Sequence, residues 1–243
     1  MDQACLRSGD IEIHLAKAQH LDAMARLHWR SLSSSQPHVG WRLEDIQKRY
    51  WDFGDNDGTA HLYAALVRGK VVGAGRCRRF PKESYGVTTP MRLIFPRHEW
   101  REALPELSHG EIETIYVDPA FQGSGIGRAL LVMMFATLAY QGMKERPLLF
   151  TSLQAPAVWH RFLMRSGANC IGYRQGVNPN KPDYVSQALM FQWPSSDIAL
   201  DWLLQYRPHH PVPAASRHFL SLGASAPHTI EAILERLQAG KAA

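Results

Sequence analysis

The stretch from Val117 to Leu131, VDPAFQGSGIGRALL, decides the fold because it places three alternating glycines between two apolar runs. Glycine loses more conformational freedom on folding than any other residue, so a cluster of glycines indicates a tight turn or a close approach to a ligand. The residues before it, 112–117, have the character of a buried strand, and the residues after it, 128–144, have helical periodicity. We therefore predict a strand, a glycine-rich turn and a helix in direct succession.

The spacing of the glycines excludes two familiar phosphate-binding loops. The dinucleotide fingerprint G-x-G-x-x-G needs a third glycine where this chain has Arg128, and a P-loop needs a lysine where it has Arg128 and Ala129. The turn nevertheless shares with those loops the feature that binds phosphate. A helix N-terminus offers free N–H donors and the positive end of the helix dipole. A pyrophosphate group is the ligand that suits this turn.

Hydrophobic periodicity predicts the remaining elements around this motif. Strands are predicted over residues 11–15, 61–67, 71–77, 148–153, 170–174 and 186–193. Helices are predicted over residues 20–32, 44–51, 156–166, 198–206 and 229–237. The long segment 80–109 contains prolines and has no clear pattern, so no element is assigned to it.

The run Gln122-Gly123-Ser124-Gly125-Ile126-Gly127 resembles Q-x-x-G-x-G/A, the pyrophosphate loop of the Gcn5-related N-acetyltransferase (GNAT) superfamily. The surrounding IETIYVDPAFQGSGIGRALL resembles the strand–loop–helix signature of that family, and the element order is similar from about Ile11 to Trp193. The resemblance implies an α/β GNAT fold, with a mixed central β-sheet of about six to seven strands flanked by helices.

Two regions are expected along the chain. Residues 1–194 are predicted to form the GNAT acyltransferase domain, and residues 195–243 a helical C-terminal extension. The apolar residues of the extension must be buried, so it is predicted to pack on the core or on a second subunit, which makes a homodimer possible. These apolar residues are Trp202, Leu203, Leu204, Tyr206, Ile230, Ile233, Leu234 and Leu237.

The resemblance implies acetyl-CoA as a cosubstrate, with no metal. Backbone amides of residues 123–128 would hold the pyrophosphate, and the strand before the loop would pair with the pantetheine arm in a gap opened by splaying from the strand 148–153. The residues implied in cofactor binding are Ile115, Tyr116, Val117, Gln122, Gly123, Ser124, Gly125, Ile126, Gly127, Arg128 and Gln154.

Transfer of an acetyl group to an amine needs a base, because the attacking nitrogen must lose a proton. The family often takes this base from the strand before the loop, which makes Glu113 the first candidate and Glu111 the second. Alternation in a strand predicts that Glu111, Glu113, Ile115 and Val117 share a face. An exposed carboxylate at a strand edge is the alternative interpretation of Glu113.

The general acid is the point at which the sequence departs from the family pattern. Leu163 stands where the family commonly has a tyrosine, and leucine has no proton to donate. His160 is a candidate substitute, and packing against the sheet is its alternative role.

The predicted function is acetyl transfer from acetyl-CoA directly to the primary amine of a small molecule or amino-acid-like substrate. A non-catalytic CoA-binding or acyl-CoA-binding module and a protein N-acetyltransferase are the alternatives.

Composition sets limits on the partners. The net charge is +5, but no run of lysine and arginine stands out, so no nucleic-acid partner is expected. No apolar run is long enough to span a bilayer, no secretory signal is visible, and the three cysteines are widely separated, so a cytoplasmic protein without a membrane partner is expected. His209, His210, His218 and His228 lack a fixed ligand geometry, so no metal site is predicted.

Overall fold

The computed structural model describes residues 11–35, 40–52, 60–80, 91–94, 109–145, 147–152, 157–178 and 181–205. These residues form one mixed sheet with helices on both of its faces. The helices are α1 (Ala18–Ser35), α2 (Leu43–Asp52), α3 (Ile126–Tyr140), α4 (Ala157–Arg165) and α5 (Ser196–Gln205), with a short 3₁₀ helix at Pro119–Phe121.

The sheet contains eight strands in the order β1-β2-β3-β5-β6-β8-β7-β4. Neighbouring strands are antiparallel except β5 and β6, which run parallel at the centre of the sheet. The strands are β1 (Ile11–Leu15), β2 (Ala60–Val67), β3 (Lys70–Phe80), β4 (Met91–Ile94), β5 (His109–Val117), β6 (Leu148–Ser152), β7 (Asn169–Asn178) and β8 (Lys181–Gln192).

Each face of the sheet carries its own hydrophobic core. On one face, α1 and α2 pack through Leu21, Met24 and Ile46 against alternate residues of β2 and β3. On the other face, α3 is almost wholly apolar and forms the centre of the larger core, to which α4 and α5 also contribute. The apolar character of α3 on nearly all sides is what a helix covered from several directions requires.

Two glycines in β3 allow α3 to lie very close to the sheet. A Cβ atom built on Gly73 would lie 2.9 Å from Ile126 Cγ2, and one on Gly75 would lie 3.2 Å from Met134 Sδ. Because the first residues of α3 follow the glycine-rich turn, this close contact also fixes the position of that turn relative to β3 and β5.

The first part of the expected extension belongs to the larger core. Helix α5 lies against α3, and Ala199, Leu200 and Leu203 are buried there. The chain enters α5 through a hydrogen bond from Ser196 N–H to the Lys144 carbonyl, 2.6 Å long. Of the apolar residues named for the extension, Leu204 is exposed, and Tyr206 and the predicted helix at 229–237 lie outside the described residues. The division at residue 194 stays a prediction.

Shortening a buried side chain of α5 is expected to destabilise the whole domain. Leu200→Ala should lower the free energy of unfolding by about 2–5 kcal/mol, because it removes buried apolar surface and leaves a cavity against α3. Leu204→Ala, in the same helix at a position that is 46% exposed, is the matched control and should change it by less than about 0.5 kcal/mol. Equal urea-unfolding curves for the two variants would contradict the packing of α5.

Two of the differences between the predicted and the observed secondary structure concern β4 and the end of α3. Strand β4 lies in the segment for which no element was assigned, and it pairs with β7 at the edge of the sheet. The helix predicted over 128–144 ends at Tyr140, because Gly142 adopts a positive φ of 75° and Met143 N–H bonds back to the Leu138 carbonyl. Among the described helices, none has the length and apolarity needed to cross a membrane.

Candidate active site

The glycine-rich turn between β5 and α3 adopts a conformation that requires glycine at two positions. Gly123 has φ 80° and Gly125 has φ 89°, in the left-handed region that side chains other than glycine rarely enter. The turn is held by short-range hydrogen bonds: Ala120 N–H donates to Asp118 Oδ1 (3.0 Å), and Ser124 Oγ donates to the Phe121 carbonyl (2.5 Å). Gln122 Nε2 donates to the Val117 carbonyl at 3.4 Å.

The N-terminus of α3 has the features of an anion-binding site. Its N-cap residue is Gly125, which has no side chain to accept the first N–H groups, and no acidic residue lies in the first turn. A Cβ built on Gly123 or Gly125 would meet no atom within 4 Å, so open space surrounds both residues. A helix N-terminus, whose first N–H groups have no acceptor within the helix, the positive end of the helix dipole and room for a ligand therefore coincide at this turn.

Strands β5 and β6 diverge next to this turn. Their parallel pairing covers Glu111↔Leu148 and Ile112↔Leu149, and among the described residues it continues no further. Residues 114–117 of β5 are therefore paired with β3 on one side, and no strand among the described residues pairs with them on the other side. Such an unpaired strand edge presents backbone donors and acceptors to an extended ligand. The pairing of β5 with β6 thus ends on the part of β5 where the gap is expected, and the gap itself stays a prediction.

A β-bulge marks the point of divergence, and Glu113 is its extra residue. Arg76 pairs with Thr114 and the next residue, Cys77, pairs with Ile112, so Glu113 has no opposite residue on β3. A bulge bends the strand and changes the direction of a side chain, and bulges are common next to active sites. Here the bulge turns Glu113 and Thr114 in succession toward the face covered by α1 and α2.

Because of this bulge, the side chains of β5 do not alternate along the whole strand as expected. Glu111 pairs in register with Arg78, on the α1–α2 face, and it is buried. Ile115 and Val117, in contrast, pack against the core that contains α3. The prediction that all four residues share a face was wrong, because one extra residue at position 113 shifts the period of the strand.

The carboxylate of Glu113 forms an ion pair with Arg76 of β3. Arg76 Nε lies 2.7 Å from Glu113 Oε2, and the side chains are only 9% and 18% exposed. Burial lowers the pKa of Arg76, while the negative charge of Glu113 opposes that change. Glu113 Oε2 itself is buried, so the exposed fraction of the side chain belongs to its other atoms.

Three aromatic rings lie beside this ion pair, between the sheet and the first two helices. The His28 ring stacks on Tyr116 with a centroid distance of 4.0 Å and meets Tyr50 edge-on at 5.8 Å. Tyr116, implied as a cofactor-binding residue, is therefore engaged with α1 through its side chain. Burial raises the pKa of both tyrosines, so their hydroxyl groups stay protonated at neutral pH.

Burial also lowers the pKa of His28 to about 3, with a smaller effect from the charge of Arg49. In the unfolded chain the same ring binds a proton at its ordinary pKa of about 6.5. The unfolded state therefore binds more protons than the folded state between these two values. The stability that depends on a neutral His28 is fully present above pH 6.5, and it is lost progressively as the pH falls toward 3.

His28 is accordingly expected to make the domain sensitive to acid. When the pH is lowered from 8 to 5, the titration of His28 should reduce the free energy of unfolding by about 2 kcal/mol. His28→Phe keeps an aromatic ring for stacking on Tyr116 and removes the titration, so its unfolding free energy should depend less on pH by that amount. Urea unfolding at the two pH values measures the difference, and parallel behaviour of both proteins would contradict the burial of a neutral His28.

The remaining predicted site residues are His160 and Gln154. His160, in α4, stacks on Phe191 at a centroid distance of 5.9 Å, and its role as the general acid stays a prediction. Leu163 is fully buried in the larger core. Gln154 falls outside the residues described. His209, His210, His218 and His228 also fall there, and in the described part of the chain no cluster of side chains could hold a metal ion.

Neither Arg76 nor His28 is among the site residues predicted from the sequence. Arg76 follows the small residues Gly73, Ala74 and Gly75, and among the four charged residues of β3 (Lys70, Arg76, Arg78 and Arg79) it is the buried one. Such a residue requires a partner, since an isolated buried charge is very costly. Its partner could not be read from the sequence, because it depends on the register between β3 and β5.

Comparisons with known proteins agree with this geometry. The family model described as "Acetyltransferase (GNAT) family" matches residues 21–167. The ribosomal-protein-S18-alanine N-acetyltransferase from Escherichia coli is 17% identical, with a TM-score of 0.50 over 76% of this chain and 94% of that chain. NAA60 from Arabidopsis thaliana, solved in complex with a bisubstrate analogue, is 13% identical, with a TM-score of 0.50 over 75% and 97% of the two chains.

At these identities the two structures show a shared fold. A comparison with curated protein sequences gave no match.

Proposed function

The chain belongs to the GNAT family of acetyltransferases, and from this premise we propose that it transfers an acetyl group from acetyl-CoA to a primary amine of a small molecule or an amino-acid-like substrate. The observation that carries the proposal is the position of Glu113. Glu113 is the extra residue of the bulge where the pairing of β5 with β6 ends, ten residues before Gly123, the first residue of the turn that suits a pyrophosphate.

The fit of acetyl-CoA to this chain rests on the turn and the gap together. Amides of residues 123–128 would hold the pyrophosphate, because they surround a helix N-terminus that has no acidic residue in its first turn. The unpaired edge of β5 would hold the pantetheine arm by backbone hydrogen bonds. The same strand then leads back to Glu113, so the acyl end of the cosubstrate would lie near the carboxylate.

Acetyl-CoA supplies the thioester: the amine nitrogen forms a bond to the acyl carbon, the carbon–sulfur bond breaks, and an amide and the CoA thiol result. Glu113 accepts the proton that the amine nitrogen gives up, directly or through a water molecule. The proton that reaches the sulfur comes from His160 or from water, because the buried Leu163 has none to give.

A thiol-release assay with acetyl-CoA and a panel of amines tests the proposal. Release that depends on both the protein and an amine is the expected result. Release only in the presence of protein substrates from a lysate would favour a protein N-acetyltransferase. Tight binding of acetyl-CoA without release for any acceptor would show a non-catalytic CoA-binding module and would overturn the proposed reaction.

A further inference from the structure

The buried ion pair between β3 and β5 has a consequence for the chemistry at Glu113. A glutamate side chain has three rotatable bonds, and on its own it would sample many orientations at the edge of the gap. Arg76 is itself 9% exposed, and its Nε lies 2.7 Å from Glu113 Oε2. A buried positive charge at this distance attracts the carboxylate oxygen and so restricts the orientations of the glutamate side chain, and the planar guanidinium that carries it is less mobile than a flexible ammonium group would be.

We propose that Arg76 is a positioning residue for acetyl transfer, which holds one carboxylate oxygen of Glu113 so that the other can reach the amine proton. This inference rests on the proposed function. Arg76 does not touch the substrate. It acts through Glu113 by the ion pair between its Nε and Oε2, two buried atoms 2.7 Å apart.

The bulge explains why such a partner is needed. Glu113 is the extra residue in the pairing of β5 with β3, so no cross-strand neighbour directly opposite it limits its side chain. Arg76 reaches it from the adjacent position on β3, the residue paired with Thr114. The charged groups that act on Arg76 besides Glu113 are Arg78 of β3 and Arg49 of α2, and both lower its pKa because they carry the same sign of charge.

The test is a double-mutant cycle of Arg76→Gln and Glu113→Gln, with kcat measured at saturating acetyl-CoA. A misplaced catalytic group costs up to about 100-fold, so Arg76→Gln alone should lower kcat roughly 10–100-fold. In the Glu113→Gln background the same change should alter kcat by less than about twofold, because residues that act as a unit are not additive. The dissociation constant for CoA should stay unchanged in both.

Two further variants separate positioning from a general structural role. Arg76→Lys keeps the positive charge but not the planar geometry, so its kcat should lie between those of the wild-type protein and Arg76→Gln. Arg79→Gln removes the same charge from an exposed position three residues along β3, and it should leave kcat unchanged. If Arg76→Gln does not fold, the cycle is run with Arg76→Lys, where the same non-additivity is expected.

The proposal is overturned if the losses from Arg76 and Glu113 multiply in the double variant, or if Arg76→Lys retains full kcat. Failure of the proposed function looks different. In that case the wild-type protein releases no thiol with any amine, or the Glu113→Gln variant keeps the kcat of the wild-type protein. The second result would show that Glu113 is not the base, whatever the kcat values of the Arg76 variants are.

Discussion

Replacement of Glu113 by glutamine should lower kcat by about 10²–10⁴-fold, the usual span for loss of a general base. The amide of glutamine has nearly the same shape and can remain close to Arg76, but it cannot accept the proton from the amine. The affinity for acetyl-CoA should be almost unchanged, because the cosubstrate is bound by backbone groups of the turn and of β5. Steady-state kinetics with an active amine, together with titration calorimetry, measure both quantities.

Glu111 provides the competing assignment. It is buried on the same face of the sheet, in register with Arg78, and lies before the bulge, where β5 is still paired with β6. We therefore expect Glu111→Gln to affect folding stability more than kcat. A fully active Glu113→Gln enzyme together with an impaired but folded Glu111→Gln enzyme would move the role of base to Glu111.

A negative charge at Gly127 should abolish most of the binding of CoA. Gly127 lies in the first turn of α3, where the pyrophosphate is proposed to sit, and like charges at about 4 Å near a protein surface repel by about 1–4 kcal/mol. Gly127→Glu should therefore weaken CoA binding by about 10–1000-fold. Calorimetry on the folded variant measures the change.

Gly127→Ala is the matched control for this experiment. The structure allows a methyl group there, since a Cβ on Gly127 would lie 3.7 Å from Val117 Cγ2, an ordinary contact, and the residue has no positive φ. The Gly127→Ala variant should bind CoA far more tightly than the Gly127→Glu variant. Gly123 and Gly125 are poorer sites for the test, because any side chain there costs about 1–2 kcal/mol in the left-handed conformation.

The strand–turn–helix at the centre of the fold could be predicted because its determinants are local. Gly123 and Gly125 mark the positions that need positive φ, and the apolar run after them marks a helix that is buried on most sides. Strand β4 was missed because an edge strand of four residues gains its stability from pairing with β7, which local sequence does not reveal.

The site was predicted less completely, because its geometry depends on register. The choice of Glu113 over Glu111 used the family pattern, yet the bulge that separates their surroundings arises from the pairing of Arg76 with Thr114 and of Cys77 with Ile112. The stacking of His28 on Tyr116 similarly joins α1 to β5 across the sheet face. Neither the bulge nor the stacking contact can be recognised from a short stretch of sequence.

A crystal structure of the protein with acetyl-CoA bound tests the central claim most directly. The account predicts pyrophosphate oxygens within hydrogen-bond distance of the amides of residues 123–128. It also predicts the pantetheine arm along the free edge of β5 and the thioester on the side of the gap where Glu113 lies. A pyrophosphate bound away from the turn, or a thioester with no path to the Glu113 carboxylate by contact or one water molecule, would contradict it.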